Sequence, residues 1–173
     1  MEEKKLKIYK YGEDVLNIMA KELTNIDGKT IELIRGMLNT MYHTPNAIGL
    51  AAPQVGESLR ISVIDLSQGE SQDEIILLLN PEILESEGKE TGEEGCLSFP
   101  GISLNVNRNI RILLKTLDID GNEIQREIDG FLARAIQHEI DHLDGKLIID
   151  HQSSLKKQFV KKEVKRLIKL GEW

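Results

Sequence analysis

Residues 138 to 142 read His-Glu-Ile-Asp-His, and this pentad limits what can be built around it. On a helix, His138 and His142 project from one face about one turn apart. Two imidazoles so placed can hold one divalent metal, and Glu139, beside the first, is positioned to handle the proton of a metal-activated water. That is hydrolase chemistry. A solvated surface helix is the bland alternative, and the flanks argue against it. Phe131, Ala135, Ile136 and Leu143 give the segment an apolar side that must face a core. Asp129 suits an N-cap and Gly145 a C-terminal stop.

A catalytic centre of this kind needs a third protein ligand. One class of zinc proteases takes it from a histidine in the longer pattern HExxHxxGxxH. Here Gly145 matches but the last position is Ile148, so that pattern fails. Among the four histidines, His43 and His151 remain open, as do several carboxylates. Cys96 is the more informative candidate. It lies in EEGCLSFPG, residues 93–101, between Gly95 and the Pro100-Gly101 turn. A lone cysteine is ordinarily a small buried hydrophobe. A thiolate is also a soft ligand that a metal deprotonates outright, and a two-histidine helix lacking a third donor gives it a purpose. A nucleophilic Cys–His pair is the rival reading, but it leaves the HExxH spacing unexplained. A third cluster, AIGLAAPQVG at 47–56, packs small residues closely enough for backbone to approach a ligand or a strand. Its Gln54 is either a surface residue of a tight turn or a buried amide able to donate to an oxyanion.

The chain of 173 residues, 40% hydrophobic, is long enough for one domain spanning 1–173 with its own core. No apolar run approaches a membrane span, and the opening MEEKKLKIYKYG lacks the apolar stretch of a secretion signal. One cysteine forbids an internal disulfide and suits a cytoplasmic setting. The net charge of −7 weighs against a general or sequence-specific nucleic-acid binder. The charge is uneven. From Ser153 onward seven bases face two acids, giving +5 and leaving −12 on the preceding 152 residues. Val160, Val164, Leu167 and Ile168 recur at helical spacing, so about 153–170 reads as an amphipathic helix with a basic outer face. That face is either simply solvated or a docking surface.

The spacing elsewhere predicts a short helical or irregular lead-in over Glu13–Leu23 and a helix over Thr30–Met41. Strands are expected over Arg60–Leu66, Glu74–Asn80, Ile102–Val106, Ile110–Asp118 and Glu123–Ile128, punctuated by Gly69, Pro81, Gly101 and Asp120-Gly121. The architecture expected is α+β: mainly antiparallel sheets packed around a central metal-binding helix, with a C-terminal amphipathic helix.

Taken in order, IGLAAPQ, EGCLS and QHEIDHLDG resemble the three motifs of the peptide deformylase family, and LLNPEIL, FPG and ARAIQHE extend the likeness over nearly the whole chain. The resemblance implies a hydrolase that removes the N-formyl group from the formylmethionine of newly made polypeptides. It implies that Cys96, His138 and His142 are metal ligands, Glu139 the general acid/base, and Gln54 with the Leu97 N–H the oxyanion donors. By the same matching Ile48, Gly49 and Gly95 bind the peptide main chain as an added strand, and Arg108 contacts substrate. The family's metal is Fe²⁺, with Ni²⁺, Co²⁺ or Zn²⁺ able to replace it. Two departures stand out: Ala47 where the family usually has Gly, and Asn107 where many members have Pro. In some bacterial members the C-terminal helix docks near the ribosomal exit tunnel, which would make the ribosome a partner of the basic tail.

The implied mechanism is hydroxide attack on the formyl carbon, with Glu139 first taking the water proton and then protonating the amine. Phe131 would wall the methionine slot, and steric exclusion at the metal would reject acetyl groups. A metal-dependent peptidase would instead need an open cleft. A catalytically silent ribosome-binding homologue should have lost Glu139 or a ligand, and this chain keeps all of them.

Overall fold

In the computed structural model, which describes residues 5–71 and 74–173, the mainly apolar segment Ile61–Ile64 lies inside a five-stranded sheet. The strands are β1 (Gly49–Ala51), β2 (Ile61–Ile64), β3 (Ile76–Glu87), β6 (Arg111–Leu117) and β7 (Glu123–Asp129), in the order β1-β2-β3-β6-β7. Every pairing is antiparallel. All four residues of β2 are buried because both faces of the sheet are covered there. Ile61 and Val63 pack into a cluster with Ile34, Met37 and Met41 of α1 (Gly28–Tyr42). Ile64, on the other face, joins Ala133, Ile136 and Ile140 of α2 (Gly130–Leu143). The central helix is thus the one that bears HEIDH, as the sequence pattern requires.

A separate hairpin, β4 (Glu90–Gly95) with β5 (Ser103–Arg108), stands beside the sheet. On β5 every second residue turns inward, Leu104 and Val106 into a cluster with Leu147–Ile149 and with Val160 and Val164 of α3 (Ser154–Leu170). Asp27 caps α1 by accepting from the N–H groups of Lys29 and Thr30, and Ser153 caps α3 through Lys156 N–H. Asp129 takes the N-cap position of α2, but its side chain makes no capping bond. Gly145 ends that helix with φ +70° against Asn17, whose carbonyl carbon a Cβ would meet at 2.9 Å. No helix among the described residues is long and apolar enough to cross a membrane.

Three details depart from expectation. The second expected strand does not stop before Pro81. β3 runs on to Glu87 because Asn80 takes a left-handed turn (φ 49°) and the register against β6 shifts between Leu79 and Glu82. Proline fits a strand where such a bulge removes the need for its N–H. The acid-rich β4 and the three-residue β1 carry too little apolar pattern to be read in advance. The lead-in is as expected short and otherwise irregular, with one 3-10 turn at Asp14–Asn17. On α3, Val160, Val164 and Leu167 are buried but Ile168, one residue further round, is 54% exposed. Of the N-terminal segment, residues 1–4 lie outside the described residues.

Candidate metal centre

Where β4 ends, the chain turns sharply through Cys96, held by a hydrogen bond from the Phe99 N–H to the Cys96 carbonyl (2.8 Å). That turn lies over the face of α2 from which His138 and His142 project. The Cys96 Sγ is 3.3 Å from His142 Nε2, and the two histidine Nε2 atoms are 3.3 Å apart. The three donor atoms lie within 4.8 Å of one another. Metal–nitrogen bonds of about 2.0–2.1 Å and metal–sulfur bonds of about 2.3 Å, at tetrahedral angles, place such donors roughly 3.3–3.6 Å apart. The residues fit a mononuclear divalent metal. The other candidate ligands are elsewhere: His43 is exposed beyond α1 with its Nδ1 on Asn39 O, and His151 pairs with Asp141.

The electrostatics favour ligand character. Burial pushes the Cys96 thiol up, but His142 and His138 outweigh it and bring it down to about 5. Burial likewise opposes charge on His138, yet Cys96 and Glu94 raise it well above the ordinary imidazole value. Its Nδ1 donates to Glu94 Oε2 at 3.0 Å, which fixes the tautomer and turns Nε2 toward the cluster. Glu94 is 7% exposed and held by two guanidiniums: Arg108 donates to both its oxygens at 2.9 Å, and Arg134 to Oε1 at 2.8 Å. Despite its burial, the hydrogen bonds from His138 and Arg108 keep its carboxyl below the usual range.

Glu139 is 4% exposed, and its Oε2 makes no hydrogen bond among the described residues. Burial raises its pKa, and the Cys96 thiolate adds to that while His138 and His142 pull the other way. Its Oε1 sits against Gly49 of β1, where a Cβ would meet Glu139 Cδ at 3.1 Å and Cγ at 3.4 Å. Only glycine leaves that carboxyl its place. Gln54 is buried in the 3-10 turn Ala52–Val55 that follows β1. The Ala51 N–H donates to its Oε1 (2.9 Å), so its amide nitrogen must face Ser98 Oγ (3.2 Å) and Cys96 Sγ (3.7 Å). Gln54 is thus a buried amide and not a surface residue of the turn. No acceptor among the described residues takes the Leu97 N–H.

These groups open into a cleft of about 710 Å³ whose lining includes Ile48, Gly49, Gly95, Leu97 and Phe131. Phe131 is 60% exposed. Arg108 is the exception among the residues expected at the site. It is 4% exposed, does not line the cleft, and spends its guanidinium on Glu94 and Asp141. Three of its five N–H groups go to these two carboxylates, which hold the guanidinium away from the cleft. Ala47 is buried in the α1 cluster and Asn107 pairs with Thr91 in the hairpin, so both departures are absorbed locally. Glu94, Arg134 and Ser98 were not read from the sequence. Ser98 accepts from Gln54 and donates to Tyr9 O, tying the first two motifs together. The readable signal was Arg134, a charge set between Ala133 and Ala135 on an apolar face, which demands a buried acid.

An α+β fold with one Cys-His-His donor cluster and a buried glutamate beside it defines a mononuclear metallohydrolase of the HExxH kind. The family model for polypeptide deformylase matches residues 5–158. A peptide deformylase of Thermodesulfovibrio yellowstonii is 49% identical over 160 residues, covering 92% of this chain and 96% of its own. The crystal structure of a peptide deformylase from Legionella pneumophila superposes with a TM-score of 0.89 at 38% identity, covering 97% of this chain and 98% of that one. The peptide deformylase of Synechococcus elongatus, solved in complex with actinonin, gives 0.85 at 39% identity over 98% and 92%. The chain belongs to the polypeptide deformylase family.

Proposed function

We propose that this chain hydrolyses the formyl group from formylmethionyl N-termini of newly synthesised polypeptides. In this reading Cys96, His138 and His142 hold one divalent metal, and Glu139 is the general acid and base. The observation that carries it is the meeting of three donor atoms with a buried carboxylate whose Oε2 has no partner among the described residues, at the head of a cleft. A thiolate with two imidazoles suits Fe²⁺, Ni²⁺, Co²⁺ and Zn²⁺ alike, and family membership favours Fe²⁺ among them. When bound, the metal supplies Lewis acidity, making water a nucleophile near neutral pH.

The chain's own groups do the rest. Glu139 takes a proton from the attacking water, its raised pKa suiting it to hold that proton and return it to the departing amine. The Gln54 amide and the Leu97 N–H donate to the oxyanion. Ile48, Gly49 and Gly95 offer main-chain groups on both sides of the cleft, so an extended peptide lies between them as an added strand. Phe131 walls the slot for the methionine side chain. A formyl carbon carries only hydrogen, and a clash at its position turns acetyl groups away. The protein works in the cytoplasm in this reading. Its basic α3, with Lys161, Lys162 and Lys165 exposed, faces ribosomal RNA near the exit tunnel.

The test sets formyl-Met-peptide against its acetyl counterpart, with metal content measured alongside. Hydrolysis confined to the formyl peptide is expected, and Glu139→Gln should keep its metal while losing about 10²-fold or more in turnover. Cleavage of internal peptide bonds, or a Glu139→Gln variant turning over normally, would refute the reading.

A further inference from the structure

The carboxylate that steadies His138 is the middle of a longer chain of charge-assisted bonds. Glu94 Oε2 accepts from His138 Nδ1 at 3.0 Å, and the Glu94 oxygens accept from Arg108 Nε and Nη2. The third nitrogen of that guanidinium, Nη1, donates to Asp141 Oδ2. The same oxygen accepts from His151 Nε2 at 2.6 Å. His151 closes the 3-10 turn Ile148–His151 that leads into α3. Five residues from β4, β5, α2 and this turn therefore run unbroken from a metal-binding ring to the surface. Side-chain exposure rises along the line, from 5–6% at Arg108 and Glu94 to 17% at Asp141 and 29% at His151. In surroundings of low dielectric, a guanidinium engaged on three sides cannot turn without breaking a strong bond. Asp141 has only two side-chain partners among the described residues, Arg108 and His151. Without His151 it has one, and the Nη1 edge of Arg108 loses its fixed anchor.

We propose that His151 is a positioning residue for His138, acting through Asp141, Arg108 and Glu94 on the orientation and donor strength of that ring. The proposal rests on Cys96, His138 and His142 being the ligand set. It makes the root of the C-terminal helix part of the support of the metal site.

The test uses the Co²⁺-loaded protein, whose visible ligand-field bands report on the geometry of the donors. His151→Phe keeps a ring but no donor, whereas His151→Gln keeps an N–H that can reach Asp141. Removing an outer hydrogen-bond partner costs about 10–100-fold in metal affinity, and one link further out about 3- to 10-fold is expected. His151→Phe should therefore weaken Co²⁺ binding by that factor in chelator competition and shift the bands, and His151→Gln should restore both toward wild type. A merely structural role would lower the melting temperature of the metal-free protein equally in both variants and leave the bands in place. Unchanged affinity and bands in His151→Phe, or no rescue by glutamine, would overturn the proposal while leaving the ligand set intact. A wild-type protein that took up no Co²⁺ would overturn both.

Discussion

Gly49→Ala is a one-carbon test of how the site is assembled. Position 49 is ordinary extended backbone at the head of β1, so alanine meets no backbone penalty there. The cost comes from what its Cβ touches: Glu139 Cδ at 3.1 Å and Cγ at 3.4 Å, with the carboxylate oxygen closer still. Glu139 is only 4% exposed and cannot swing into solvent, so its carboxyl must move off the position it holds against Gly49. Overpacking of this size costs about 1–3 kcal/mol of stability. Displacing a general base should cost turnover about 10²-fold, or roughly 2.7 kcal/mol of barrier. The assay is steady-state hydrolysis of a formyl-Met-peptide with metal content measured in parallel. We expect kcat to fall with KM little changed and metal occupancy retained, because the new methyl points at Glu139 and leaves the Gly49 main-chain groups in place. In a Glu139→Gln background the same substitution should add almost nothing, since the two changes remove one function. Normal kcat in Gly49→Ala, or a loss that appears only in KM, would refute the reasoning.

Cys96→Ala should strip the metal or weaken its binding severely, with activity falling in proportion, and metal analysis of the purified variant checks this; full occupancy would remove Cys96 from the ligand set. Just after β2 and beside the last residue of α1, Asp65 is buried yet its carboxyl is held below the ordinary value, because hydrogen bonds from Ser67, Tyr42 and Gly69 outweigh its burial. A folded pKa below the unfolded value of about 3.9 means that this stabilisation is present above that value and is lost as pH falls through the folded pKa. Burial and Asp65 push Tyr42 up to about 12, so it stays a donor throughout. The gap in urea midpoint between wild type and Tyr42→Phe should therefore be widest near neutrality and narrow as pH falls below about 3.9. Reversing Lys161, Lys162 and Lys165 to Glu should abolish salt-sensitive co-sedimentation with ribosomes while sparing hydrolysis of a short formyl peptide; binding that survives at moderate salt would leave α3 only its role of covering Leu104 and Val106.

What could be read in advance follows from where each partner lies along the chain. His138 and His142 were legible because both stand on one helix and a spacing of four fixes their relation before any tertiary contact is known. Cys96 was legible for a weaker reason: the helix lacked a third donor and a glycine-flanked cysteine could supply it. Glu94 was hidden. EEG offers two adjacent acids, and only the pairing of β4 with β5 decides that Glu93 turns to solvent while Glu94 turns toward Arg108 and Arg134. β4 has no apolar residue to announce that inward face, since the face is made of Gly92 and Glu94 over the Arg134 guanidinium. The same gap hides the surroundings of Arg108, whose charge faces Glu94 on the neighbouring strand and Asp141 on α2. A buried charge can be assigned a role only once its counter-charge is located, and here the counter-charges lie on strands and helices that the hydrophobic pattern does not bring together.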